Sequence, residues 1–338
     1  MLDIRLIREH PDVVRENLAK RGDPEKLLLL DKLIGLDKAW REKLQRVENL
    51  KHRRNVVSVE IAKKKRENKD FSDKLREMKE LSREIQRLDE ETKTLREEIN
   101  KILLRLPNML HESVPLGRDE SENVEIRRWG TPPKFSFPPK NHLELMINLG
   151  LVDPERGSKV AGTGFLYFKN ELVLLDIGIQ RFAIDFLVKR GYTLVEPPFM
   201  MRRAPYEGVA DLEDFEQVMY KIDGDDLYLI ATSEHPLGAM YMNEVFNEDE
   251  LPIKLVGVSP CFRREIGTHG KYTKGLFRMH QFNKVEQFIF SHPEESWKYH
   301  EELQKNSEEM YQALGLPYRV VNVCTGDIGS FAAKRYDT

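Results

Sequence analysis

The chain contains 338 residues, 40% of them hydrophobic, so it is long enough to bury a sizeable core and to form two domains. Its 54 lysines and arginines nearly balance its 57 aspartates and glutamates, and the net charge of −3 identifies no partner by bulk charge. No apolar run approaches about 18 residues and the N-terminus lacks a signal-peptide pattern, so we expect a cytoplasmic protein with no membrane partner.

The two cysteines, Cys261 and Cys324, lie far apart in apolar segments typical of strands. We expect both to be buried free thiols, as is usual in a reducing compartment. No Cys and His spacing suits a structural zinc ion, and we predict no metal held by the protein itself.

The first 25 residues predict a short amphipathic helix, with Pro11 at a favourable first position and Gly22 at its end. From about Lys26 to Leu106 the composition shifts to lysine, glutamate, arginine and leucine. The second half of this stretch repeats apolar positions three and four residues apart without a break, which predicts a coiled coil. These positions are Met78, Leu81, Ile85, Leu88, Thr92, Leu95, Ile99, Ile102 and Leu106.

The first half of the stretch carries a looser apolar stripe, and a short connection joins the two halves. Asn68 and Asp70 permit a turn, and Ser72 is predicted to cap the second helix. Because the connection is short, the two helices must run antiparallel, and with about 35 residues each they form an arm roughly 50 Å long. The stripe of the first half comprises Leu33, Leu36, Trp40, Leu44, Val47, Leu50, Val57 and Ile61.

Residues 51–69, toward the tip of the arm, contain eight lysines and arginines against two glutamates, a net charge of +6. Such a stretch is often simply solvated, but its distance from the body favours binding to a phosphate backbone. Self-association of the coiled coil is an alternative, although the hairpin already buries its own apolar seam. The candidate phosphate-binding residues are Arg53, Arg54, Lys63, Lys64, Lys65, Arg66 and Lys69, with Lys271 and Lys274 in the body.

Repeated prolines after residue 106 predict a boundary between two domains. We expect an N-terminal domain over 1–110, a linker over 111–140 and a globular domain over 141–338. The globular domain should begin with a helix near 141–149, a strand near 162–168 and a long helix over 170–190. Gly191 then stops the long helix, and a strand leads into the Pro197–Pro198 pair.

A polar segment follows a short strand predicted at 228–230. Thr232, Ser233 and Glu234 stand where a strand ends and a helix begins, which suits contact with a small ligand. An ordinary helix N-cap, with an acidic residue in the first turn, explains the same three residues.

Two strands joined by a glycine-rich basic loop are predicted over 256–264 and 276–290. The side chains of Arg263 and Glu265 should share one face of the first strand, and Arg278, Phe282 and Glu286 one face of the second. Guanidinium groups for phosphate, a ring for a base and carboxylates for an amine together favour a nucleotide site. A surface hairpin with cross-strand salt bridges is the alternative for any one of these residues.

The sequence of this hairpin resembles motif 2 of the class II aminoacyl-tRNA synthetases, and its Gly275–Phe282 segment resembles the seryl family in particular. The helix, Gly191, strand and Pro198 resemble motif 1, which implies a homodimer with Pro198 at the interface. The implied fold is α+β. It consists of a long antiparallel helical hairpin, the coiled-coil arm, followed by an antiparallel β-sheet domain flanked by helices.

The resemblance implies a role for each residue of the hairpin. Arg263 would be catalytic, because it would stabilise charge at the α-phosphate of ATP and orient the carboxylate of serine. Arg278 would hold the outer phosphates, and Phe282 would stack on adenine. Glu265 and the backbone around Met279 would read the edge of the base.

Two ligand sets and a partner follow from the same resemblance. ATP, with Mg²⁺ as cofactor, would be bound by Arg263, Arg264, Glu265, Arg278, Met279 and Phe282. L-serine would be bound by Thr232, Ser233, Glu234, Arg263 and Glu286. The arm would bind tRNA(Ser) through the basic residues named above, with Lys271 and Lys274 contributing from the loop.

The implied function is ATP-dependent activation of L-serine to seryl-adenylate, followed by transfer to the 3′ end of tRNA(Ser). Motif 3 and the strand that precedes it in the family are not found in these 338 residues, so we expect a fragment of a longer protein or a degenerate relative. As a fragment, the chain by itself could lack activity. The alternative function is a catalytically inactive, synthetase-like tRNA-binding protein. A purely structural coiled-coil protein would explain the arm but not the hairpin.

Overall fold

The structure, a computed structural model, describes residues 2–210, 218–265 and 275–338. The chain divides into two compact units, one formed by residues 1–124 with 322–335 and the other by 125–321 with 336–338. This division differs from the predicted one, because residues 111–124 belong to the first unit rather than to a linker. Their place is explained by one apolar cluster that joins Leu110, Val114, Val323 and Ile328.

The first unit begins with two short helices, α1 (Ile4–Glu9) and α2 (Pro11–Ala19), where the sequence predicted one. His10 leaves helical geometry with φ −136° and ψ 56°. Pro11 opens α2, as predicted, because its missing N–H cannot continue the hydrogen bonds of α1. The prediction of a single helix over residues 1–25 is therefore wrong, because the helix is interrupted at His10.

The arm consists of α3 (Pro24–Arg66) and α4 (Ser72–Leu103). Ion pairs join Lys32 to Glu98, Arg46 to Glu84 and Arg53 to Glu77. Higher residue numbers on α3 therefore lie opposite lower residue numbers on α4, as they do in an antiparallel pair. The predicted antiparallel hairpin is confirmed. With 43 residues, α3 is longer than expected and spans about 65 Å.

The seam between α3 and α4 follows the predicted apolar pattern closely. Every predicted position of α4 is buried or half-buried, and the polar Thr92 is buried with the rest. On α3 the stripe is looser, as predicted, and Leu44 stays 37% exposed. The predicted cap is wrong: Asp70, not Ser72, supplies the capping oxygen, since its Oδ1 accepts from the Ser72 N–H at 2.9 Å.

Ionic contacts fix the base of the arm within the first unit. Asp37 on α3 is only 3% exposed and accepts hydrogen bonds from Arg8 on α1 at 2.6 and 3.0 Å. Arg41 adds a third bond to the same carboxylate at 2.9 Å. The more exposed Asp31 pairs with Arg15 of α2. Both helices α1 and α2 are thus attached to α3 by charge as well as by apolar packing.

A half-buried arginine, Arg21, connects distant parts of the sequence in this unit. Arg21 donates to the carbonyls of Asn108 and Ala332, each at 3.0 Å. It also reaches the carbonyls of Ile328 at 3.4 Å and Gly329 at 3.3 Å. Residues 322–335 are therefore integrated into the first unit by hydrogen bonds as well as by the apolar cluster.

The second unit holds the remaining elements. Its helices are α5 (His142–Asn148), α6 (Pro154–Ala161), α7 (Glu171–Val188), α8 (Arg203–Glu207), α9 (Glu234–Ala239) and α10 (Ser296–Ala313). Its strands are β1 (Val124–Trp129), β2 (Val152–Asp153), β3 (Tyr167–Phe168), β4 (Thr193–Val195), β5 (Met200–Met201), β6 (Tyr228–Leu229), β7 (Ile253–Phe262), β8 (Gln281–Phe290), β9 (Tyr318–Asn322) and β10 (Tyr336–Asp337). Short 3₁₀ turns of this unit occupy 248–250, 275–277 and 293–295, and a further one lies at 120–122 in the first unit.

The central sheet has the order β4-β7-β8, with further small sheets β1-β9-β10, β2-β3 and β5-β6. β7 and β8 are antiparallel, as expected, but β4 runs parallel to β7, so the sheet is mixed. The parallel pairing is possible because the connection from β4 to β7, residues 196–252, is long enough for the chain to cross over and re-enter the sheet in the same direction. Gly191 follows α7 with φ +86° and turns the chain into β4. Leu187, Tyr192 and Val256 form the core between α7 and this sheet.

Two predictions from the sequence concerned the state of the cysteines and the presence of membrane-spanning segments. Both cysteines are buried free thiols, as predicted. Within the described ranges, no helix has the length and apolar character needed to cross a bilayer.

Candidate active site

The hairpin of β7 and β8 brings two of the predicted ligand-binding residues, Phe282 and Glu286, to one face of the central sheet. The strands pair over ten residues, with Cys261 opposite Phe282 and Gly257 opposite Glu286. Phe282, Lys284 and Glu286 share a face because side chains alternate along a strand. A side chain at Gly257 would meet the Ser233 hydroxyl at 2.8 Å, so glycine lets α9 approach the hairpin.

Both strands end farther from the connecting loop than predicted. β7 ends at Phe262 and β8 begins at Gln281, so the shared strand faces predicted for Arg263 with Glu265 and for Arg278 with Phe282 are wrong. Glu265 has φ +41°, which a strand residue does not adopt, and residues 275–277 form a 3₁₀ turn.

The residues beyond the strands nevertheless converge. The Arg263 N–H donates to the carbonyl of His280 at 2.9 Å, which extends the pairing of the hairpin by one bond. The guanidinium of Arg278 forms an ion pair with Glu265 at 2.9 Å. The side chains predicted to bind the outer phosphates and the adenine edge of ATP therefore contact each other.

Arg263, the predicted catalytic residue, is half-buried beside the ring predicted to stack on adenine. Its guanidinium carbon lies 5.2 Å from the centroid of Phe282, and its Nε donates to the carbonyl of Ala231 at 3.3 Å. The neighbouring Arg264 is exposed, and its N–H donates to the carbonyl of Val218 at 2.9 Å. Of the two arginines, only Arg263 is fixed next to Phe282.

The predicted serine-binding residues form one hydrogen-bonded cluster around Glu286. Its Oε2 accepts from the hydroxyl of Thr232, from the hydroxyl of Ser233 at 3.0 Å and from the N–H of Glu234 at 3.0 Å. Lys284 donates to Oε1 at 2.7 Å and to the Thr232 hydroxyl at 2.9 Å. Ser233 makes no capping bond to the backbone of α9, so the N-cap interpretation fails for this residue.

Burial and charge shift the pKa values within this cluster. Burial raises the pKa of Glu286, but Lys284 and the hydroxyl hydrogen bonds outweigh it, and the net pKa is lowered. The side chain of Glu234 reaches solvent, yet partial desolvation and then the Glu286 charge raise its pKa. Burial lowers the pKa of His235 to about 4, so its ring is neutral at pH 7. Glu286 is consequently the better anion for binding a cationic group.

A buried tyrosine that the sequence analysis did not single out supports this cluster from below. Tyr206 is fully buried, and its hydroxyl accepts from the N–H of Ala231 at 3.2 Å. It also lies 2.9 Å from Nδ1 of His235. Since Ala231 in turn accepts from Arg263, the tyrosine helps to fix the backbone carbonyl that receives the Arg263 guanidinium.

His280 fixes the other side of the hairpin and was also missed. Its Nδ1 lies 2.6 Å from the Tyr220 hydroxyl, and its ring stacks on Phe165 with centroids 4.9 Å apart. Any side chain at Gly164 would meet the imidazole at 2.5 Å. His280, which follows Met279, is thus in contact with Tyr220, Phe165 and Gly164.

A period-two pattern in the sequence could have revealed Lys284 and His280. Positions 280, 282, 284 and 286 fall on one face of an extended segment, because side chains alternate between its two faces. The predicted face included only every fourth residue, namely Arg278, Phe282 and Glu286. Tyr206 gives no such signal, because its partners lie 25 and 29 residues away.

A cavity of about 250 Å³ borders Met279 and Phe282. Its other walls include Gln281 and Asn283, which alternate with Phe282 and therefore face away from Glu286. Asn283 is bonded to Asp176 of α7 at 2.7 Å. This recess is distinct from the cluster around Glu286.

The predicted RNA-binding residues of the arm differ in their surroundings. Arg53 is paired with Glu77, Lys69 with Glu67, and Lys64 donates to the carbonyl of Asp70 at 3.0 Å. Arg54 is half-buried. Three of them are exposed and show no ion pair within the described part of the chain, namely Lys63, Lys65 and Arg66. Lys271 and Lys274 lie outside the described residues.

No group of three or more metal-ligating side chains occurs among residues 2–210, 218–265 and 275–338. The carboxylates of the candidate site are instead engaged with arginine, lysine and hydroxyl groups.

Two family descriptions match parts of the chain. Residues 217–338 match the tRNA synthetase class II core domain (G, H, P, S and T), which contains the hairpin. Residues 1–110 match the seryl-tRNA synthetase N-terminal domain, which contains the arm. The second unit therefore has the class II synthetase architecture.

Individual relatives match over the whole chain. A serine–tRNA ligase of Methanoculleus marisnigri is 55% identical over 337 residues, covering 100% of this chain and 79% of the relative. The crystal structure of seryl-tRNA synthetase from Pyrococcus horikoshii complexed with ATP has a TM-score of 0.93 and 46% identity, covering 100% of this chain and 80% of that one. A cytoplasmic serine–tRNA ligase from Naegleria fowleri in complex with AMP has a TM-score of 0.86 at 36% identity, covering 100% of this chain and 78% of that one.

The chain belongs to the seryl-tRNA synthetase family. This confirms the resemblance seen in the hairpin sequence and the predicted combination of a helical arm with a class II body.

Proposed function

We propose that this protein is a serine–tRNA ligase that activates L-serine with ATP and transfers the seryl group to the 3′ end of tRNA(Ser). The single observation that carries the proposal is the cluster around Glu286, placed on the same sheet face as Arg263 and Phe282. It joins an anionic pocket for an amino acid to an arginine and a ring suited to a nucleotide.

In the first step the carboxylate of serine attacks the α-phosphate of ATP, and pyrophosphate leaves. Negative charge develops on the phosphoryl oxygens, and Arg263 stabilises it from a position fixed by the Ala231 carbonyl. Glu286 accepts the ammonium of serine through Oε1, because Oε2 already accepts three hydrogen bonds. Both ends of the amino acid are then oriented for attack.

ATP is assigned to the surface between Phe282 and the Arg278–Glu265 pair, in line with the nucleotide-bound relatives. Phe282 stacks on adenine, and the backbone near Met279 reads its edge. Arg278 is 41% exposed and can exchange its bond to Glu265 for the outer phosphates. The ATP phosphates, rather than a cluster of protein carboxylates, would hold Mg²⁺ here, and the ion would neutralise part of their charge.

The arm is assigned to tRNA(Ser), since it belongs to the family's N-terminal domain and carries exposed basic residues near its tip. Its contacts are with the phosphate backbone and depend on shape rather than on base sequence. We place the protein in the cytoplasm, where its tRNA substrate is found.

A homodimer through the motif 1 region near Pro198 is supported by the surface of α7. Leu174, Leu175 and Ile177 are 70%, 57% and 56% exposed, although helices of one subunit normally bury such residues. A second copy of the chain would remove this apolar face from water.

The test is serine-dependent exchange of pyrophosphate into ATP by the native protein, measured beside a panel of the other amino acids. We expect exchange with serine alone. Exchange driven by another amino acid, or by none while ATP fails to bind, contradicts the proposal. The second outcome, combined with tight tRNA(Ser) binding, would favour the alternative of an inactive tRNA-binding protein.

A further inference from the structure

Lys284 places a positive charge inside the pocket proposed for serine. Its Nζ lies 2.7 Å from Glu286 Oε1 and 2.9 Å from the hydroxyl of Thr232, and its side chain is 33% exposed. It reaches the pocket because it shares a strand face with Phe282 and Glu286. The proposed function assigns no role to this lysine.

The hydrogen bonds of Thr232 define what the lysine can do. The hydroxyl donates to Glu286 and accepts from Lys284, and it lies 3.3 Å from the N–H of Glu234. A hydroxyl has one proton to donate and two lone pairs, so none remains for a substrate. Thr232 and Lys284 therefore act through Glu286 rather than by contacting serine.

The charges of the pocket balance when Lys284 is counted. Glu234 and Glu286 supply two carboxylates, and Lys284 and Arg263 supply two cations that act on them. Serine adds one ammonium and one carboxylate, so serine itself leaves this balance unchanged. An amino acid with a second ammonium would bring an uncompensated cation next to Lys284.

We propose that Lys284 is a specificity-determining residue that limits the pocket to one substrate cation. It thereby rejects amino acids of serine's size whose hydroxyl is replaced by an ammonium, of which L-2,3-diaminopropionate is the simplest. This inference rests on the proposed function, because it takes the Glu286 cluster to be the serine pocket. Like charges placed side by side at a binding site disfavour the wrong partner strongly.

The test compares kcat/KM for serine and for L-2,3-diaminopropionate in pyrophosphate exchange, at a pH low enough that both amines of the analogue are protonated. For Lys284→Met we expect the preference for serine to fall about 10- to 100-fold, the size of one charge-assisted interaction. Lys284→Arg keeps the charge and should keep the preference. The matched control is Lys254→Met, because Lys254 lies on the neighbouring β7 and binds Glu302 at 2.7 Å, outside the pocket.

Lys284→Gln separates charge from hydrogen bonding and serves if the methionine variant fails to fold. Glutamine can still donate to Glu286, so it should resemble the methionine variant if charge decides specificity and the arginine variant if hydrogen bonding does. A glutamine variant that resembles the arginine variant would overturn the inference. An unchanged preference in both neutral variants would also overturn it while leaving serine activation intact.

A pH profile gives an independent reading. Without Lys284 the pKa of Glu286 should rise, so the acid limb of kcat/KM for serine should move to higher pH; an unmoved limb contradicts the inference. The other titratable and charged groups facing Glu286 are present in all variants, namely Glu234 and His235 on α9 and Cys261 and Arg263 at the end of β7. Lys284 also lowers the pKa of Glu234, His235 and Cys261, so these pKa values rise with that of Glu286 when the lysine is replaced. Absence of serine activation by the wild-type protein would overturn the proposed function, and this inference with it.

Discussion

His235 is neutral in the folded protein because burial lowers its pKa to about 4 from 6.5. In the unfolded chain the same imidazole binds a proton below about pH 6.5. The unfolded state therefore holds more protons between pH 6.5 and 4, and the free energy of unfolding falls as the pH is lowered through this window. Below pH 4 both states are protonated and the slope from this residue ends.

We predict that His235→Gln removes this slope, since glutamine can keep a hydrogen bond to the Tyr206 hydroxyl without titrating. Urea unfolding at several pH values should show the wild type losing about 2–3 kcal/mol relative to the variant between pH 6.5 and 4. His52→Gln, on an exposed position of α3, serves as the control. Equal pH dependence in the wild type and His235→Gln would contradict the assignment.

For individual residues, the sequence predicted which side chains form the candidate site better than it predicted their backbone conformation. Glu286, Thr232 and Arg263 were expected near one another, and they are. Arg278 and Glu265 were expected on strands. Instead, Arg278 follows a 3₁₀ turn and Glu265 has a positive φ, so neither belongs to the paired strands β7 and β8. Such local backbone changes depend on tertiary contacts that periodicity does not contain.

Among the elements, the arm offers a matched pair of carboxylates on one helix. Asp37 is 3% exposed and holds Arg8 and Arg41, whereas the Asp31 side chain is 53% exposed and holds Arg15. Asp37→Ala should lower the free energy of unfolding by about 2 kcal/mol, because it leaves two guanidiniums without their shared buried anion. Asp31→Ala should have a much smaller effect, since an exposed pair is screened by water.

Thermal or urea unfolding of the two variants tests this prediction directly. Losses of equal size would show that burial does not distinguish the two pairs. The heptad pattern revealed the seam of the arm because burial repeats with a fixed period, but it could not reveal Asp37. Its partner Arg8 lies 29 residues away on another helix.

The exposed cations of the arm predict a salt-dependent interaction with RNA. Replacing Lys63, Lys65 and Arg66 by alanine should weaken tRNA(Ser) binding and reduce the salt slope by about one for each phosphate that the arm no longer neutralises. The control replaces three exposed cations on the middle of α4, namely Lys79, Arg83 and Lys93. Binding measured at several salt concentrations should separate the two triple variants. Equal effects would point to bulk charge rather than to the tip.

For the whole molecule, the apolar face of α7 predicts the oligomeric state. Leu174→Glu should convert a dimer to a monomer, because it places a charge in the proposed interface. Val59→Glu on α3 is the matched control, since Val59 and Leu174 are both 70% exposed. Analytical ultracentrifugation measures the outcome. A wild-type monomer, or a dimer that survives Leu174→Glu, would contradict the proposed interface.

The division of the chain was the least predictable property at this scale. Proline-rich composition predicted a linker over 111–140, but the structure assigns 111–124 and 322–335 to the first unit. Composition reports where helices stop and says little about which distant segment a loop will pack against. Val114 and Val323 meet only through the tertiary fold.

The bonds of Arg21 have a consequence for protein synthesis. Its carbonyl partners at Ile328 and Ala332 lie 307 and 311 residues later in the chain. A ribosome adding about 5–20 residues per second needs roughly 15–60 s to cover that distance. Throughout this interval the nascent first unit lacks part of its own structure, and nearly all of the second unit must leave the ribosome before the first is complete.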